Sequence, residues 1–112
     1  MSLTDDDLDG HSLTRRYDDS TFVRIAIRRT PGDTYPSGWR YVLHYGTTDP
    51  DAADVPTLED GTIRRYDNSH EDTKGHELHV APDPTPKIIE FPGMAALYKQ
   101  FWAEIPKSHI DP

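Results

Sequence analysis

Apolar and polar residues alternate over Thr21–Thr30: Val23, Ile25 and Ile27 fall on one side of an extended chain, Arg24 and Arg28 on the other. Successive strand side chains point to opposite faces, so the pattern predicts a half-buried strand. Pro31-Gly32-Asp33 breaks it, and Asp33–Gly38 reads as a loop. Trp39–Thr47 repeats the alternation, with Trp39, Tyr41, Leu43 and Tyr45 on one face and Arg40, Val42 and His44 on the other. Gly61–Asp67 predicts a third strand, with Ile63 set against Arg64 and Tyr66. A polar turn over Asn68–Gly75 leads to a fourth strand, His76–Val80. Pro82, Pro84 and Pro86 then hold the chain extended. A short fifth strand is open over Ile88–Phe91. Gly93–Glu104 predicts the one clear helix, because Met94, Leu97, Tyr98, Phe101, Trp102 and Ile105 form a stripe at helical spacing. Pro106 ends it.

These elements predict an α+β fold, an antiparallel sheet of four to five strands packed by one C-terminal helix. Val23, Ile25, Ile27 and the helix stripe would line the covered face. The other face would carry a share of the Arg and His. The expected organisation is an acidic, flexible segment over residues 1–14, a single α+β domain over residues 15–106 and a tail over residues 107–112. A length of 112 residues suits one domain with a modest core.

Composition adds exclusions. No run of 18 apolar residues is present to span a membrane. The acidic start lacks the apolar stretch of a secretory signal. Without cysteine, disulfides and thiolate metal sites are ruled out. The expected compartment is the cytoplasm. The formal charge is −8, with 15 Asp against 5 Glu and 8 Arg against 4 Lys. Such an Asp-rich, Lys-poor surface suits an extreme halophile, where molar salt screens the repulsion. An ordinary acidic protein from a GC-rich genome would look similar.

Net acidity normally speaks against nucleic-acid binding. The charge is uneven, however. Residues 21–47 hold four Arg and one Asp, whereas residues 1–20 carry −4 and residues 48–60 carry −5. A locally basic sheet inside an acidic coat is what phosphate binding requires. The same arginines pairing with nearby Asp is an equally good reading of the counts.

Candidate chemistry concentrates in Arg64–His79, which packs three of the six histidines beside Lys74, Arg64, Arg65 and Tyr66. Three readings fit. Metal-independent RNA cleavage needs a His or Tyr to take the 2′-hydroxyl proton, a second His to protonate the leaving oxygen, and Lys or Arg on the charged phosphorane. A metal-dependent nuclease would use His70, His76, His79 and Asp67 or Asp72, but His76 and His79, three apart on a strand, face opposite ways. The third reading is plain structure: Asp67-Asn68-Ser69 is good turn chemistry, and exposed histidines are common. His11 and His109 lie near the termini and are expected to be inert. His44 lies mid-strand beside Arg40 and suits the site or the scaffold equally. Trp39, Tyr41, Tyr45 and Trp102 fit core packing better than base stacking.

Taken together, several pieces resemble the TumE-type family of toxin–antitoxin toxins, in a haloarchaeal-like form. They are Tyr17-Asp18-Asp19-Ser20-Thr21-Phe22-Val23; Ser37-Gly38-Trp39-Arg40-Tyr41-Val42-Leu43-His44-Tyr45; Arg65-Tyr66-Asp67-Asn68; and Lys74-Gly75-His76-Glu77-Leu78-His79, with a closing helix over Phe91–Ile105. The resemblance covers residues 15–105. It departs from the family in its His-x-x-His spacing and its long loop over residues 49–60. It implies a toxin encoded beside an antitoxin, often a helix-turn-helix regulator, and an RNA-directed activity. The matching positions are Tyr66, Asp67, Asn68, Lys74, His76 and His79, with Arg40 a weaker match.

The resulting expectation is a metal-independent endoribonuclease toxin that uses no cofactor. His76 and His79 would exchange protons, and Tyr66 would orient substrate or assist as base. Lys74, Arg64 and Arg65 would contact phosphate, with Arg40 and His70 as further substrate contacts. Asp67 and Asn68 would shape the turn. The alternatives are a non-catalytic module that binds a regulator and a metal-dependent nuclease.

Overall fold

The structure is a computed structural model and describes residues 3–31 and 35–107. Six strands form one sheet: β1 (Ser12–Arg16), β2 (Thr21–Arg29), β3 (Trp39–Thr47), β4 (Thr62–Asp67), β5 (His76–Val80) and β6 (Lys87–Ile89). They lie in chain order, every neighbouring pair antiparallel. Among the described residues two α-helices complete the fold, the single turn α1 (Glu71–Lys74) and the longer α2 (Met94–Glu104), with short 3-10 turns over Asp5–Leu8 and Pro50–Ala52. Among the described residues no helix is long and apolar enough to cross a membrane.

β2 and β3 pair along their whole length, from Thr21 opposite Thr47 to Arg29 opposite Trp39. That register puts Val23, Ile25 and Ile27 on the same face as Tyr41, Leu43 and Tyr45, all buried. The stripe of α2 seals this face: Met94, Leu97 and Phe101 are fully buried against it. Trp39 and Trp102 are buried too, as core packing requires. Because the helix covers one face only, the alternate positions of the same strands are left as a second, open face.

The six strands exceed the expected four to five, and the reason is instructive. β1 reads Ser-Leu-Thr-Arg-Arg and buries no residue fully. It is an edge strand held by its backbone ladder to β2, which hydrophobic patterning does not report. β6, at three residues, is shorter still and closes the other edge beside β5. Upstream of β1, where the sequence suggested a flexible segment, a 3-10 turn over Asp5–Leu8 places Leu8 in the core at 2% exposure. At the opposite end of the chain, Lys107 pairs with Asp19 at 2.8 Å; residues 108–112, and with them His109, lie outside the described residues.

One glycine has a steric reason. The β3–β4 ladder shifts register between Tyr45 and Gly46. There Gly61 adopts φ +88°, and a Cβ on it would lie 2.3 Å from the Thr47 carbonyl oxygen. Only glycine tolerates both the angle and the approach.

Candidate basic cleft on the open face

β4 and β5 carry most of the candidate residues, and strand alternation divides them between the two faces. Arg65 and Asp67 point to the open face, Arg64 and Tyr66 towards α2. On β5, Glu77 and His79 point to the open face and His76 to the covered one. Six of the ten residues singled out in the sequence (Arg40, Arg65, Asp67, His70, Lys74 and His79) border one cleft of about 820 Å³ on the open face. Arg64, Tyr66, Asn68 and His76 do not border it.

The four absent residues have structural partners that explain their position. Tyr66 is fully buried, donates its hydroxyl to Glu104 and accepts from Gln100 at 3.1 Å. Burial, then the Glu104 carboxylate, pushes its phenol above the ordinary range. A buried phenol held protonated and turned to the helix cannot serve as the expected base. Arg64 pairs with Glu104 at 3.2 Å rather than facing a substrate phosphate.

His76 is wedged between β3 and the chain after β6. Its ring stacks on Phe91 at 4.6 Å between centroids and lies parallel to Tyr41 at 5.8 Å. Tyr41 Oη lies 2.8 Å from His76 Nδ1, and His76 Nε2 lies 3.1 Å from Glu71 Oε1. Burial holds the Tyr41 hydroxyl protonated, so it donates to Nδ1 and leaves the imidazole proton on Nε2, facing Glu71. Burial also lowers the His76 pKa, against the pull of Glu71. His76 and His79 therefore stand on opposite sides of the sheet and share no pocket.

Glu71 gathers this network. Its carboxylate accepts from Ser37 N–H and Oγ–H, each at 2.6 Å, and from Asn68 Nδ2 at 2.8 Å. Burial alone would raise its pKa; the bonds from Ser37 and Asn68 and the nearby His76 outweigh this and hold it low. Asn68, fully buried, uses its amide like one more peptide group of β4. Tyr41 N–H donates to Oδ1 at 3.0 Å, and Nδ2 donates to the Trp39 carbonyl at 2.6 Å.

On the open face the arrangement differs. The cleft brings together five bases, Arg24, Arg28, Arg40, Arg65 and Lys74, against the acids Asp67 and Glu77. Arg28 stands directly opposite Arg40 in the β2–β3 ladder. Like charges facing each other across strands are unfavourable, and among the described residues neither is ion-paired with a carboxylate. At the other end of the cleft Arg65 Nε donates to Asp67 Oδ2 at 3.1 Å, and its Nη2 donates to His79 Nε2 at 3.4 Å. His11, expected to be inert, borders the cleft and packs edge-on against Tyr98. Glu77, which the sequence reading passed over, could have been found from strand period: it lies two residues before His79, hence on the same face.

His44 supports the open face without bordering the cleft. It packs edge-on against Phe22, and its Nε2 lies 2.9 Å from Thr62 Oγ1. Burial, then Arg65, pushes its pKa down to about 4. The unfolded chain binds this proton near pH 6.5 and the folded chain only near 4, so stability is expected to fall as pH drops through that window. The loss should approach roughly 2 kcal/mol after solvent screening at this half-buried site is allowed for. Urea titrations from pH 7 to pH 4 should show it, and His44→Asn should flatten that limb. A wild-type stability constant between pH 6.5 and 4.5 would contradict the neutral His44.

No curated protein and no solved structure matches the chain. A family model, Toxin TumE, matches residues 3–109, nearly its whole length. The match extends past the resembling segments on both sides, taking in the 3-10 turn, β1, the sheet and α2. The chain therefore belongs to the Toxin TumE family.

Proposed function

We propose that this protein is the toxin of a toxin–antitoxin pair and that it binds and cleaves RNA in the open-face cleft. The observation that carries the reading is the facing pair Arg28 and Arg40, continued by Arg24, Arg65 and Lys74, in a protein of net charge −8. Like charges gathered on one concave face, away from the acidic coat, suit a polyanion whose phosphates take the place of counter-ions. The family supplies the toxin and implies an antitoxin partner; a helix-turn-helix regulator encoded nearby fits the expectation from sequence. An acidic chain of this kind is best handled at molar KCl.

Within the cleft, Arg24, Arg28, Arg40 and Lys74 contact phosphates, and His70 stands among them. The reacting end lies at Asp67, Arg65 and His79, where a guanidinium and an imidazole meet. Tyr66 and His76 act from the other side of the sheet, as scaffold.

The test is cleavage and binding of an end-labelled cellular RNA by the purified full chain, beside growth of cells that express it. Wild type should cut the RNA and arrest growth, and co-expression of the neighbouring antitoxin should relieve the arrest. His79→Ala should lose at least about a hundredfold in cleavage rate with its melting temperature retained. Arg24→Gln with Arg40→Gln should flatten the salt dependence of binding by roughly 1.4 in log–log slope, at about 0.7 per phosphate contact on a single strand. RNA bound without cleavage would turn the reading towards a non-catalytic binding module. A folded protein that neither binds nor cuts RNA would overturn it.

A further inference from the structure

The geometry points to a binding site for one divalent cation of mixed nitrogen and oxygen preference, of the Mn²⁺ or Zn²⁺ class, formed by Asp67, Glu77 and His79 in the cleft. It deepens the RNA-cleaving reading by naming what the reacting end holds, and it rests on that reading only for the ion's use.

Sheet register builds the triad. Asp67 on β4 stands directly opposite Glu77 on β5, and His79 follows Glu77 on the same face, opposite Arg65. One ligand atom from each residue lies within 4.8 Å of the other two. His79 Nε2 is 3.3 Å from Asp67 Oδ2 and 4.0 Å from Glu77 Oε2. Ligand atoms about 2.1 Å from a common ion sit roughly 3.0–3.4 Å apart, so a small turn of the Glu77 side chain closes the set. This triad differs from the histidine sets weighed from sequence, which needed His76 and His79 on one side.

Glu77 supplies an independent observation. It borders the cleft and is only 7% exposed, yet among the described residues it receives no hydrogen bond. Among the described residues its one basic neighbour within ion-pairing reach is His79, whose Nε2 lies 4.0 Å from Oε2. A carboxylate given no donor and set directly opposite another carboxylate is unfavourable. Asp67 is provided for by Arg65 and by Ser69, whose Oγ donates to Oδ1 at 3.2 Å. Glu77 has no such support. The Arg65 guanidinium can only donate, so towards it His79 Nε2 presents a lone pair. An ion bound here takes the place of the Arg65 guanidinium, which now bonds both Asp67 Oδ2 and His79 Nε2, so that the freed lone pair and two carboxylate oxygens converge on the cation.

Imidazole suits borderline transition metals, and carboxylates suit harder ions such as Mn²⁺. Three protein ligands leave coordination positions open towards the cleft, where water and a phosphate oxygen can bind. In this arrangement His79 is a ligand rather than a proton carrier.

Mn²⁺ alone, titrated into the full chain and followed by calorimetry and by electron paramagnetic resonance, tests the site without RNA. One ion per chain is expected, with a rise in melting temperature on adding Mn²⁺. Glu77→Gln and His79→Ala should each weaken binding at least tenfold and abolish that rise. Glu77→Gln should itself melt no lower than wild type without metal, since it relieves the facing carboxylates. Asp72→Asn, an exposed acid outside the cleft, should bind as wild type does. A folded wild type that takes up no stoichiometric Mn²⁺ or Zn²⁺ would overturn the site, even if it cuts RNA in EDTA, which would leave the RNA reading standing. Stoichiometric binding lost in both variants, with no RNA cleaved, would keep the site and remove the RNA reading instead.

Discussion

Asn68→Ala is expected to lower the free energy of unfolding by about 3–4 kcal/mol, close to the most that one substitution usually costs. The side chain is fully buried and has three partners on three separate residues. Alanine would orphan the Tyr41 N–H and the Trp39 carbonyl and remove one donor from the Glu71 carboxylate. Each buried group left unsatisfied costs about 1–3 kcal/mol, and local relaxation recovers part of the total. Asn68→Asp should do no better. It keeps an acceptor for Tyr41 N–H but turns an oxygen towards the Trp39 carbonyl and Glu71. Urea unfolding at fixed salt measures both variants. A cost below about 1 kcal/mol for Asn68→Ala, with an unchanged m-value, would refute the view that this amide extends β4.

Leu8→Ala should cost about 2–3 kcal/mol, towards the lower end of the range for buried leucines, because a site near the sheet edge can partly collapse. A frayed N-terminal segment predicts almost no change, within about 0.5 kcal/mol, so the variant decides between the two descriptions. Leu8 is not isolated. The same 3-10 turn presents Asp5, whose Oδ1 accepts the Ala95 N–H at 2.8 Å and caps α2, where the N-cap residue Gly93 has no side chain to do so. Arg29 on β2 is tied to the segment by Asp6 and through its own N–H by Asp9. Asp5→Ala should therefore add about 1 kcal/mol of its own, the usual value of a lost N-cap. Thermal and urea unfolding of the full chain check both.

The strands β2, β3, β4 and β5 and the helix α2 were legible in the sequence to within a residue or so. Each is long enough, or regular enough, for its apolar period to show. β1 was not, and β6 only in part, as the short strand left open over Ile88–Phe91, because edge strands are held by backbone bonds to a neighbour, and a backbone bond leaves no mark on residue type. Leu8 was hidden for a related reason: one apolar residue among aspartates has no period, and only the closing of α2 onto the sheet makes a place for it.

The candidate site divides along the same line. Alternation along a strand is local, so the sequence by itself determined that the open face would collect Arg24, Arg28 and Arg40 and that His76 and His79 would part. The family, too, was legible from its motifs. Which histidine faces the cleft depends on which face α2 covers, and that is decided by packing the whole chain. The meeting of Asp67 with Glu77 and His79 belongs to tertiary structure as well. It follows from the pairing register of β4 and β5, where a shift of one residue would send the same side chains to the other face.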